Sequence, residues 1–317
     1  MDNKLLRKNY RFEIDGIRAF AVIAVIINHF NKDILPSGYL GVDIFFVISG
    51  YVITSSLSEK KNKGFLDYIS SFYERRVKRL VPALAFYVII FSILICFFDP
   101  NPIFSLRSGI TSLFGVSNLY LFKTSTDYFA QSTQLNVFTQ TWSLGVEEQF
   151  YIIFPIIVWF SGFGRQTKKG DKNLFISILF LVIFSLILFV YFYPKNHSLA
   201  YFLMPTRFWE MAIGCLLFLT LKQRKVLATA LEKVPPTIVF VAMIGLMFLP
   251  KSFAVISTIS IVCLSALLIS CLKEGKLLFK VFTNKMVTYI GLISYSLYLW
   301  HWGIISISRW TIGIHWW

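Results

Sequence analysis

The sequence predicts an all-α integral membrane protein, built as a polytopic bundle of helices. Of its 317 residues, 56% are hydrophobic and 15% are charged, whereas charged residues make up about a quarter of soluble domains. Apolar runs of membrane-spanning length recur from position 17 to position 306, and no polar block between them is large enough to form a soluble domain. We therefore expect one membrane-embedded domain over residues 1–317.

The apolar runs allow nine spans, and the basic residues between them set the orientation. Spans are predicted near 17–31, 39–57, 81–98, 140–160, 174–193, 207–221, 234–250, 253–272 and 286–306. With the N-terminus in the cytoplasm, the cytoplasmic loops hold 24 of the 31 lysine and arginine residues, as the positive-inside rule requires. The net charge of +15 follows from this topology, so nucleic-acid binding is not expected.

One apolar stretch, residues 103–139, does not fit this topology as a span. Counting it as one would place the later basic loops outside, so we interpret it as a re-entrant or surface-lying segment whose backbone is covered by protein. Nine spans also leave the two chain ends on opposite sides of the membrane. A further closing helix is therefore expected after Trp317, and the chain is expected to be truncated at its C-terminus.

Ionisable side chains in the first two apolar runs are the clearest functional signal, because a charge inside a bilayer costs roughly 2.5–3.5 kcal/mol or more. Arg18 and His29 are 11 residues apart, which places them within about 20° of one helix face and about 16 Å apart along its axis. Asp15 is interpreted as the N-cap of this helix or as the partner of Arg18. Asp43 opens the next helix at about the depth of His29, where it would orient the imidazole or cap its own helix. Gly50 leaves room on the Asp43 face for backbone or ligand.

The predicted loop 58–80 carries an Arg-x-x-Arg motif at Arg76 and Arg79. Guanidinium groups bind phosphate oxygens bidentately, so the loop is either a phosphate site or a basic anchor that sets topology. Pro82 is expected in the opening turn of the following span, where its missing N–H costs nothing.

Three further charged groups in apolar runs are open to two interpretations each. Glu147 and Glu148 begin a helix that enters from the outside, where they complement the helix dipole or point into a polar outer cavity. Arg207 and Glu210 form a structural bridge or belong to the same interior. His301, between two tryptophans, belongs to an interfacial aromatic belt or is a second polar group in the cavity.

No pattern in the sequence points to a metal site or to a soluble hydrolase. The HExxH, CxxC, P-loop and GxSxG patterns are absent from the sequence. We therefore expect neither a metal nor nucleotide hydrolysis.

Four motifs together resemble the acyltransferase-3 family of bacterial membrane O-acyltransferases. They are EIDGIRAFAVIAVIINHF with GVDIFFVISGY, YERRVKRLVPAL, TWSLGVEEQFY and SYSLYLWHW, in this order between residues 13 and 302. The resemblance implies a multi-pass enzyme of the bacterial cytoplasmic (inner) membrane. It implies that an acyl group, usually acetyl, moves from cytoplasmic acyl-CoA to a hydroxyl of an extracytoplasmic glycan such as lipopolysaccharide O-antigen, capsule, exopolysaccharide or peptidoglycan.

The family motifs can be carried over residue by residue. The resemblance implies that the donor, acyl-CoA and usually acetyl-CoA, is bound by Arg18, Arg76 and Arg79. The resemblance also implies catalytic roles for His29, Glu147 and Glu148. Together with Asp43, which was inferred above from its position beside His29, they form the expected catalytic set.

Two chemical routes and two other functions stay open. His29 deprotonates the acceptor hydroxyl for direct attack on the thioester, or it accepts the acyl group transiently. Some relatives add an extracytoplasmic hydrolase-like domain, so a separate extracytoplasmic transferase is a further expected partner. The competing functions are a carrier for a glycan or small solute, which would leave acyl-CoA unconsumed, and an inactive truncated relative.

Overall fold

The structure, a computed structural model, describes residues 10–58, 64–124 and 131–313, and it confirms the all-α fold class. Within those residues the regular secondary structure is entirely helical, with short 3₁₀ turns at Gly38–Leu40 and Lys251–Phe253. The α-helices of the described residues are α1 (Phe12–Phe30), α2 (Gly41–Ser58), α3 (Phe65–Phe98), α4 (Ile103–Leu113), α5 (Ser117–Thr124), α6 (Gln131–Leu135), α7 (Thr141–Phe160), α8 (Gly170–Phe192), α9 (His197–Phe202), α10 (Met204–Gln223), α11 (Lys225–Glu232), α12 (Pro236–Met247), α13 (Ala254–Cys271), α14 (Leu277–Phe282), α15 (Lys285–Leu292) and α16 (Ser294–Trp310).

Two compact units make up the chain, and each combines two separated stretches. Unit 1 consists of Met1–Ile48 and Thr220–Leu297, and unit 2 consists of Ser49–Leu219 and Tyr298–Trp317. The boundary after Ile48 falls inside α2, so this helix contributes residues to both units. The single membrane-embedded domain stays a prediction.

In unit 1, α1 is closely packed against α14 and α15. A Cβ atom at Gly291 would collide with the carbonyl oxygen of Asp15, and one at Gly16 would collide with that of Phe282. Glycine at both positions lets the backbones approach more closely than side chains would allow. The first turns of α1, which carry its charged residues, are therefore tightly held.

A short hairpin joins α1 to α2 in unit 1. The side-chain amide of Asn28 donates to the carbonyl oxygens of Leu35 at 2.7 Å and Pro36 at 3.0 Å. The Ser37 hydroxyl donates to the carbonyl of Leu249 at 2.7 Å, just beyond the end of α12. These bonds satisfy polar backbone groups of the turn and fix its conformation.

In unit 2, α3 and α7 form a long antiparallel pair. The ring of Phe65 lies 5.5 Å from that of Trp159 at one end, and the Tyr87 hydroxyl accepts a 2.8 Å hydrogen bond from Gln140 at the other. α3 has 34 residues and α7 has 20, which correspond to about 51 and about 30 Å. α3 therefore runs beside the whole of α7 and continues past the start of α7.

Six helical segments of the described residues are long and apolar enough to cross a membrane, and the number rises to eight if two bent pairs are each one span. The six are Gly38–Ser58, Phe65–Phe98, Thr141–Phe160, Gly170–Phe192, His197–Gln223 and Lys251–Cys271. The bent pairs correspond to the predicted spans 234–250 and 286–306, and each is broken between two helices. The predicted span 17–31 corresponds to α1, which carries Glu13, Asp15 and Arg18. The count of nine is thus not confirmed.

The loop predicted at 58–80 is wrong in its described part, because Phe65–Phe98 is one continuous helix. The cytoplasmic location of this segment stays a prediction. Pro82 consequently lies inside α3 rather than in its opening turn. The charged half is helical because Tyr68 and Phe72, four residues apart, are buried on one face. Hydropathy alone cannot distinguish such an amphipathic helix from a polar loop. Residues 59–63 lie outside the described part of the chain.

The segment 103–139 contains no helix of membrane-spanning length among its described residues, as predicted. It holds α4, α5 and α6, with 11, 8 and 5 residues. A span needs about 20 residues, so none of the three is long enough to cross a bilayer by itself. The re-entrant or surface-lying interpretation stays a prediction. Residues 125–130 of the predicted exterior tail lie outside the described part of the chain.

Candidate functional site

Asp15 and Arg18 form an ion pair within the first turns of α1. Arg18 Nη1 donates to Asp15 Oδ1 at 3.1 Å, and the Tyr10 hydroxyl donates to Asp15 Oδ2 at 2.7 Å. The N-cap interpretation of Asp15 is wrong, because α1 begins at Phe12 and its cap position is Arg11. The other interpretation, a carboxylate that fixes Arg18, agrees with the structure. Asp15 is 1% exposed, so this carboxylate is held almost entirely within the protein.

His29 is buried in the last turn of α1. The same continuous helix carries Arg18, so the expected separation of about 16 Å along one axis holds. The adjacent Asn28 fixes the hairpin turn, as described above. The backbone that carries the imidazole is therefore held in place.

Asp43 lies in the first turn of α2 and is buried. The close contact between α1 and α2 is at Gly41, where a Cβ atom would collide with the carbonyl oxygen of Ala21. Asp43 is two residues further on, about 200° around the helix axis. Asp43 therefore does not project from the α2 face that contacts α1 at this turn. Ala21 precedes His29 by eight residues, about 12 Å along α1, so this contact also argues against the shared depth of Asp43 and His29 that the sequence predicts.

The space expected beside Gly50 is filled by protein in unit 2. A Cβ atom at Gly50 would collide with the carbonyl of Met211 in α10, and the Cys215 thiol lies 3.5 Å from the carbonyl oxygen of Gly50. Gly50 thus allows the backbones of α2 and α10 to approach each other. The sequence predicts backbone or ligand in this space, and the structure places the backbone of α10 there.

Arg76 lies against two aromatic rings in unit 2. Its guanidinium carbon is 5.4 Å from the ring centre of Tyr151 and 5.6 Å from that of Phe72. Arg79, the other member of the motif, is exposed. The antiparallel pairing of α3 with α7 places Arg76 level with Glu147, about 16 Å along α3 from its first residue. The motif therefore lies beside α7 rather than in a loop.

Glu147 belongs to the same group of side chains. The Ser49 hydroxyl donates a hydrogen bond to Glu147 Oε1. The Tyr151 hydroxyl interacts with both the Glu147 carboxylate and the Ser49 hydroxyl. We call Ser49, Arg76, Glu147 and Tyr151 the Tyr151 cluster. It brings together one predicted donor-binding residue and one predicted catalytic residue.

Glu148 contacts a different part of unit 2. A Cβ atom at Gly115, in the turn between α4 and α5, would collide with Glu148 Oε2. Gly115 has a φ of +67°, a conformation that glycine adopts without strain. Consecutive residues of a helix lie about 100° apart, so the carboxylates of Glu147 and Glu148 diverge. The two acids do not form a single paired group.

Arg207 and Glu210 form a buried structural bridge, as one of the two interpretations predicted. Arg207 Nη1 donates to Glu210 Oε1 at 2.7 Å, and both side chains are at most 4% exposed. The guanidinium also lies 4.8 Å from the ring centre of Tyr201. A buried guanidinium requires such a counter-ion.

His301 is buried in α16, so the interpretation as an interfacial belt residue is wrong. Its ring lies 5.6 Å from that of Tyr298, whose hydroxyl contacts the Ser143 hydroxyl at 2.8 Å. Trp302 is buried as well, and its indole N–H donates to the Asn136 carbonyl at 2.8 Å. This part of α16 is therefore an interior polar region of unit 2.

Three polar residues of these regions were not predicted, although the sequence contained signals for two of them. Asn28 precedes His29 inside an apolar run, and the cost of a polar group there applies to it as much as to the histidine. Tyr151 follows Glu147 by four residues and so shares its helix face. Ser49 carries no such signal, because serine is common in apolar helices.

The predicted site residues are thus divided between the two units. Unit 1 contains Arg18, His29 and Asp43, while unit 2 contains Arg76, Arg79, Glu147 and Glu148. Across the described ranges, no group of three or more His, Cys, Asp and Glu side chains is placed to hold a metal ion.

Comparisons with known proteins identify the family. A family model described as an acyltransferase domain matches residues 11–317. O-acetyltransferase OatA of Staphylococcus aureus strain NCTC 8325 is 33% identical over 315 residues, which cover 95% of this chain and 52% of the relative. OatA of S. aureus strain MRSA252 gives the same figures. This chain spans about half the length of these relatives.

No solved structure matches the chain. The family match nevertheless covers nearly the whole sequence, including every predicted site residue. The chain therefore belongs to the acyltransferase domain family.

Proposed function

We propose that this chain is a membrane O-acyltransferase that moves an acetyl group from cytoplasmic acetyl-CoA to a hydroxyl of an extracytoplasmic glycan. The observation that carries the proposal is α1, an apolar helix with an ion-paired arginine near its start and a buried histidine in its last turn. Ionisable groups in apolar helices are costly, and together they mark functional sites. The similarity to O-acetyltransferases supports acetyl as the transferred group.

The donor would be held through its phosphates by guanidinium groups. Arg18, Arg76 and Arg79 are the proposed ligands, because planar guanidinium groups bind phosphate oxygens through two parallel hydrogen bonds. Arg18 is pre-oriented by the buried Asp15, which supports this role. Arg76 lies within cation–π range of two aromatic rings, which restrict its position and accept no conventional hydrogen bond from its N–H groups.

His29 is the proposed general base. It would take the proton of the acceptor hydroxyl while the hydroxyl oxygen attacks the thioester carbonyl. The carbon–sulfur bond would then break as His29 returns the proton to the departing thiolate, which releases coenzyme A as its thiol. Transient transfer of the acyl group to His29 before the hydroxyl attacks is the alternative route. Asp43, Glu147 and Glu148 are the proposed supporting carboxylates.

The proposed location is the bacterial inner membrane, with residues 1–317 acting as one domain and the N-terminus in the cytoplasm. The excess of basic residues in alternate loops supports this orientation. The glycan acceptor would lie on the outer side, where a separate extracytoplasmic transferase is a further proposed partner. The resemblance of the four motifs to membrane O-acyltransferases supports both assignments.

The decisive experiment compares surface glycans from cells that lack the chain with those from cells that express it. We expect an acetyl-sized mass difference that disappears after mild alkali, since O-acetyl esters are alkali-labile. Membranes from the expressing cells should also release the free thiol of coenzyme A from added acetyl-CoA. If acetyl-CoA is not consumed and the glycan mass is unchanged, the chain is not an acyltransferase of this kind.

A further inference from the structure

Tyr151 lies between a cation and a carboxylate in the interior of unit 2. It is 6% exposed and sits near the middle of α7. Neither of the roles proposed above for donor binding and proton transfer uses this residue. Its surroundings can be divided into contacts of the ring, the hydroxyl and the backbone.

The ring of Tyr151 contacts Arg76. The guanidinium carbon lies 5.4 Å from the ring centre, within the range of a cation–π interaction. Phe72 supports the same guanidinium at 5.6 Å, and its ring centre lies 6.4 Å from that of Tyr151. Aromatic contacts at these distances restrict the position of a guanidinium without accepting conventional hydrogen bonds from its N–H groups.

The hydroxyl of Tyr151 contacts the acid. It interacts with the Glu147 carboxylate and with Ser49, whose own hydroxyl donates to Glu147. The Glu147 carboxylate, which is half-buried, thus accepts a hydrogen bond from Ser49 and lies one helical turn before Tyr151 on the same face of α7. Hydrogen bonds to a charged group are among the strongest in proteins, so they restrict where the carboxylate can point.

The backbone of Tyr151 is held separately. Pro155 lacks an N–H, so the carbonyl of Tyr151, four residues earlier in α7, has no helical donor. The Tyr73 hydroxyl of α3 takes that place and donates to this carbonyl at 3.1 Å. The side chain therefore projects from a backbone position that is fixed from both helices.

From these contacts we infer that Tyr151 is a positioning residue for acyl transfer, with its ring orienting Arg76 and its hydroxyl orienting Glu147. The inference rests on the proposed function, in which Arg76 binds the donor and Glu147 supports the chemical step. It divides one side chain into two separable roles. The ring serves the affinity for the donor, and the hydroxyl serves the rate of transfer.

Two substitutions separate these roles in membranes that contain the full chain, with acetyl-CoA as the probe and release of the free thiol as the readout. Tyr151→Phe keeps the ring and removes the hydroxyl. We expect kcat to fall about 10- to 100-fold, the range for a lost hydrogen bond to a charged group, with KM for acetyl-CoA within about twofold. Tyr151→Leu also removes the ring, and we expect KM to rise about 3- to 30-fold in addition.

Two control substitutions remove the same chemical groups, a phenolic hydroxyl and an aromatic ring, at positions other than Tyr151. Tyr191→Phe removes a phenolic hydroxyl from α8, where Tyr191 is exposed and contacts Lys195, and it should leave both constants unchanged. Phe154→Leu removes a buried ring from α7 one turn from Tyr151, and it should lower the amount of folded protein without raising KM selectively.

Double substitutions test whether Tyr151 acts through its two partners. Adding Arg76→Lys to Tyr151→Leu should raise KM no further than the larger single effect, and adding Glu147→Gln to Tyr151→Phe should lower kcat no further, since residues that act as a unit are not additive. Even if the leucine variant fails to accumulate, the phenylalanine variant decides the role of the hydroxyl.

The possible outcomes distinguish this inference from the proposed function. If the unsubstituted chain does not consume acetyl-CoA, the proposed function fails and the inference fails with it. If the chain is active but Tyr151→Phe matches Tyr191→Phe, the inference alone is overturned. A uniform loss of activity that follows the amount of folded protein, or additive effects in the double variants, would likewise reduce Tyr151 to a structural residue.

Discussion

At the scale of single residues, the ion pair at the start of α1 shows why a charge in an apolar helix needs a partner. Asp15 receives hydrogen bonds from Arg18 and Tyr10 and is almost fully buried. Removing one member of a buried pair leaves the other charge uncompensated, which costs far more than losing an exposed pair. The stability of this region should therefore depend on the carboxylate.

We predict that Asp15→Asn lowers the free energy of unfolding by about 3 kcal/mol, because Arg18 keeps its charge and loses its counter-ion. Glu74→Gln is the matched control, since the Glu74–Lys78 pair has side chains that are 61% and 73% exposed. That change should cost about 1 kcal/mol or less. Thermal unfolding in detergent measures both, and equal losses would contradict the prediction.

The second residue-scale prediction concerns the proposed base. His29→Gln should lower acyl transfer by about 10²- to 10⁴-fold, because general-base catalysis contributes a factor of that size. The amount of folded protein should change little, since glutamine retains a polar side chain. His197→Gln in α9 is the control and should retain full transfer. Full glycan acetylation by the His29 variant would exclude His29 as the base.

The sequence predicted some of these residues and missed others for a physical reason. Arg18 and His29 could be placed on one face because a single helix has a known period. The contact of Tyr151 with Arg76 could not be predicted, since it depends on how α3 and α7 align. Asp15 was open to two interpretations because the start of α1, at Phe12 rather than near residue 17, decides between them.

At the scale of elements, one proline and two glycines show how the helices pack. Pro155 leaves a carbonyl of α7 without its helical donor, and Tyr73 of α3 supplies one. Gly50 and Gly291 permit backbone contact in unit 2 and unit 1 respectively. These interactions between helices are specific, which makes them testable by coupled substitutions.

We predict that Tyr73→Phe destabilises the protein by about 1 kcal/mol, the usual net value of one hydrogen bond. In a Pro155→Ala background the same change should cost almost nothing, because alanine supplies the N–H that the Tyr151 carbonyl lacks. The coupling is measured by a double-mutant cycle of thermal unfolding in detergent. Equal costs in the two backgrounds would show that Tyr73 does not compensate for the proline.

A second element-scale prediction concerns Gly50. Gly50→Ala should destabilise the protein by about 1–3 kcal/mol, because the added Cβ would meet the backbone of α10. Gly245→Ala is the matched control in α12, where no atom lies within 4 Å of an added Cβ. That change should stabilise the helix by about 0.5–1 kcal/mol. We therefore expect the two substitutions to change the free energy of unfolding in opposite directions. A change in the same direction would contradict the prediction.

Element type could be predicted well from the sequence, whereas element boundaries could not. Long apolar runs identified α8 and α13 because nothing but a helix satisfies the backbone of such a run in a bilayer. The sequence predicts a loop where the charged half of α3 lies, because the helical character of that half depends on burial of Tyr68 and Phe72. The break between α15 and α16 at Ile293 has no sequence signal such as proline.

At the scale of the whole molecule, the distribution of basic residues predicts the orientation. Residues 161–173 hold four of them and are expected in the cytoplasm, whereas Lys195 is expected outside. The test uses single cysteines at Lys168 and Lys195, in a chain whose exposed Cys96 and Cys263 are replaced by serine. In intact cells a membrane-impermeant maleimide should label the cysteine at 195 and not the one at 168. Labelling of the cysteine at 168 and not of the one at 195 would show the opposite orientation in the membrane.

The stagger of α3 against α7 has a consequence for the surrounding lipid. α3 alone measures about 51 Å, while a bilayer has a hydrocarbon thickness of about 30 Å. Apolar side chains face outwards at both ends of the pair, including Phe97 on α3 and Phe160 on α7. Glu74 and Lys78, in the charged half of α3, are also exposed, at 61% and 73%, so the outward surface of the pair is not apolar over its full length. Only residues 81–98 of α3, about 27 Å, form an uninterrupted apolar stretch of bilayer thickness, so the charged half that carries Arg76 is expected at the membrane surface.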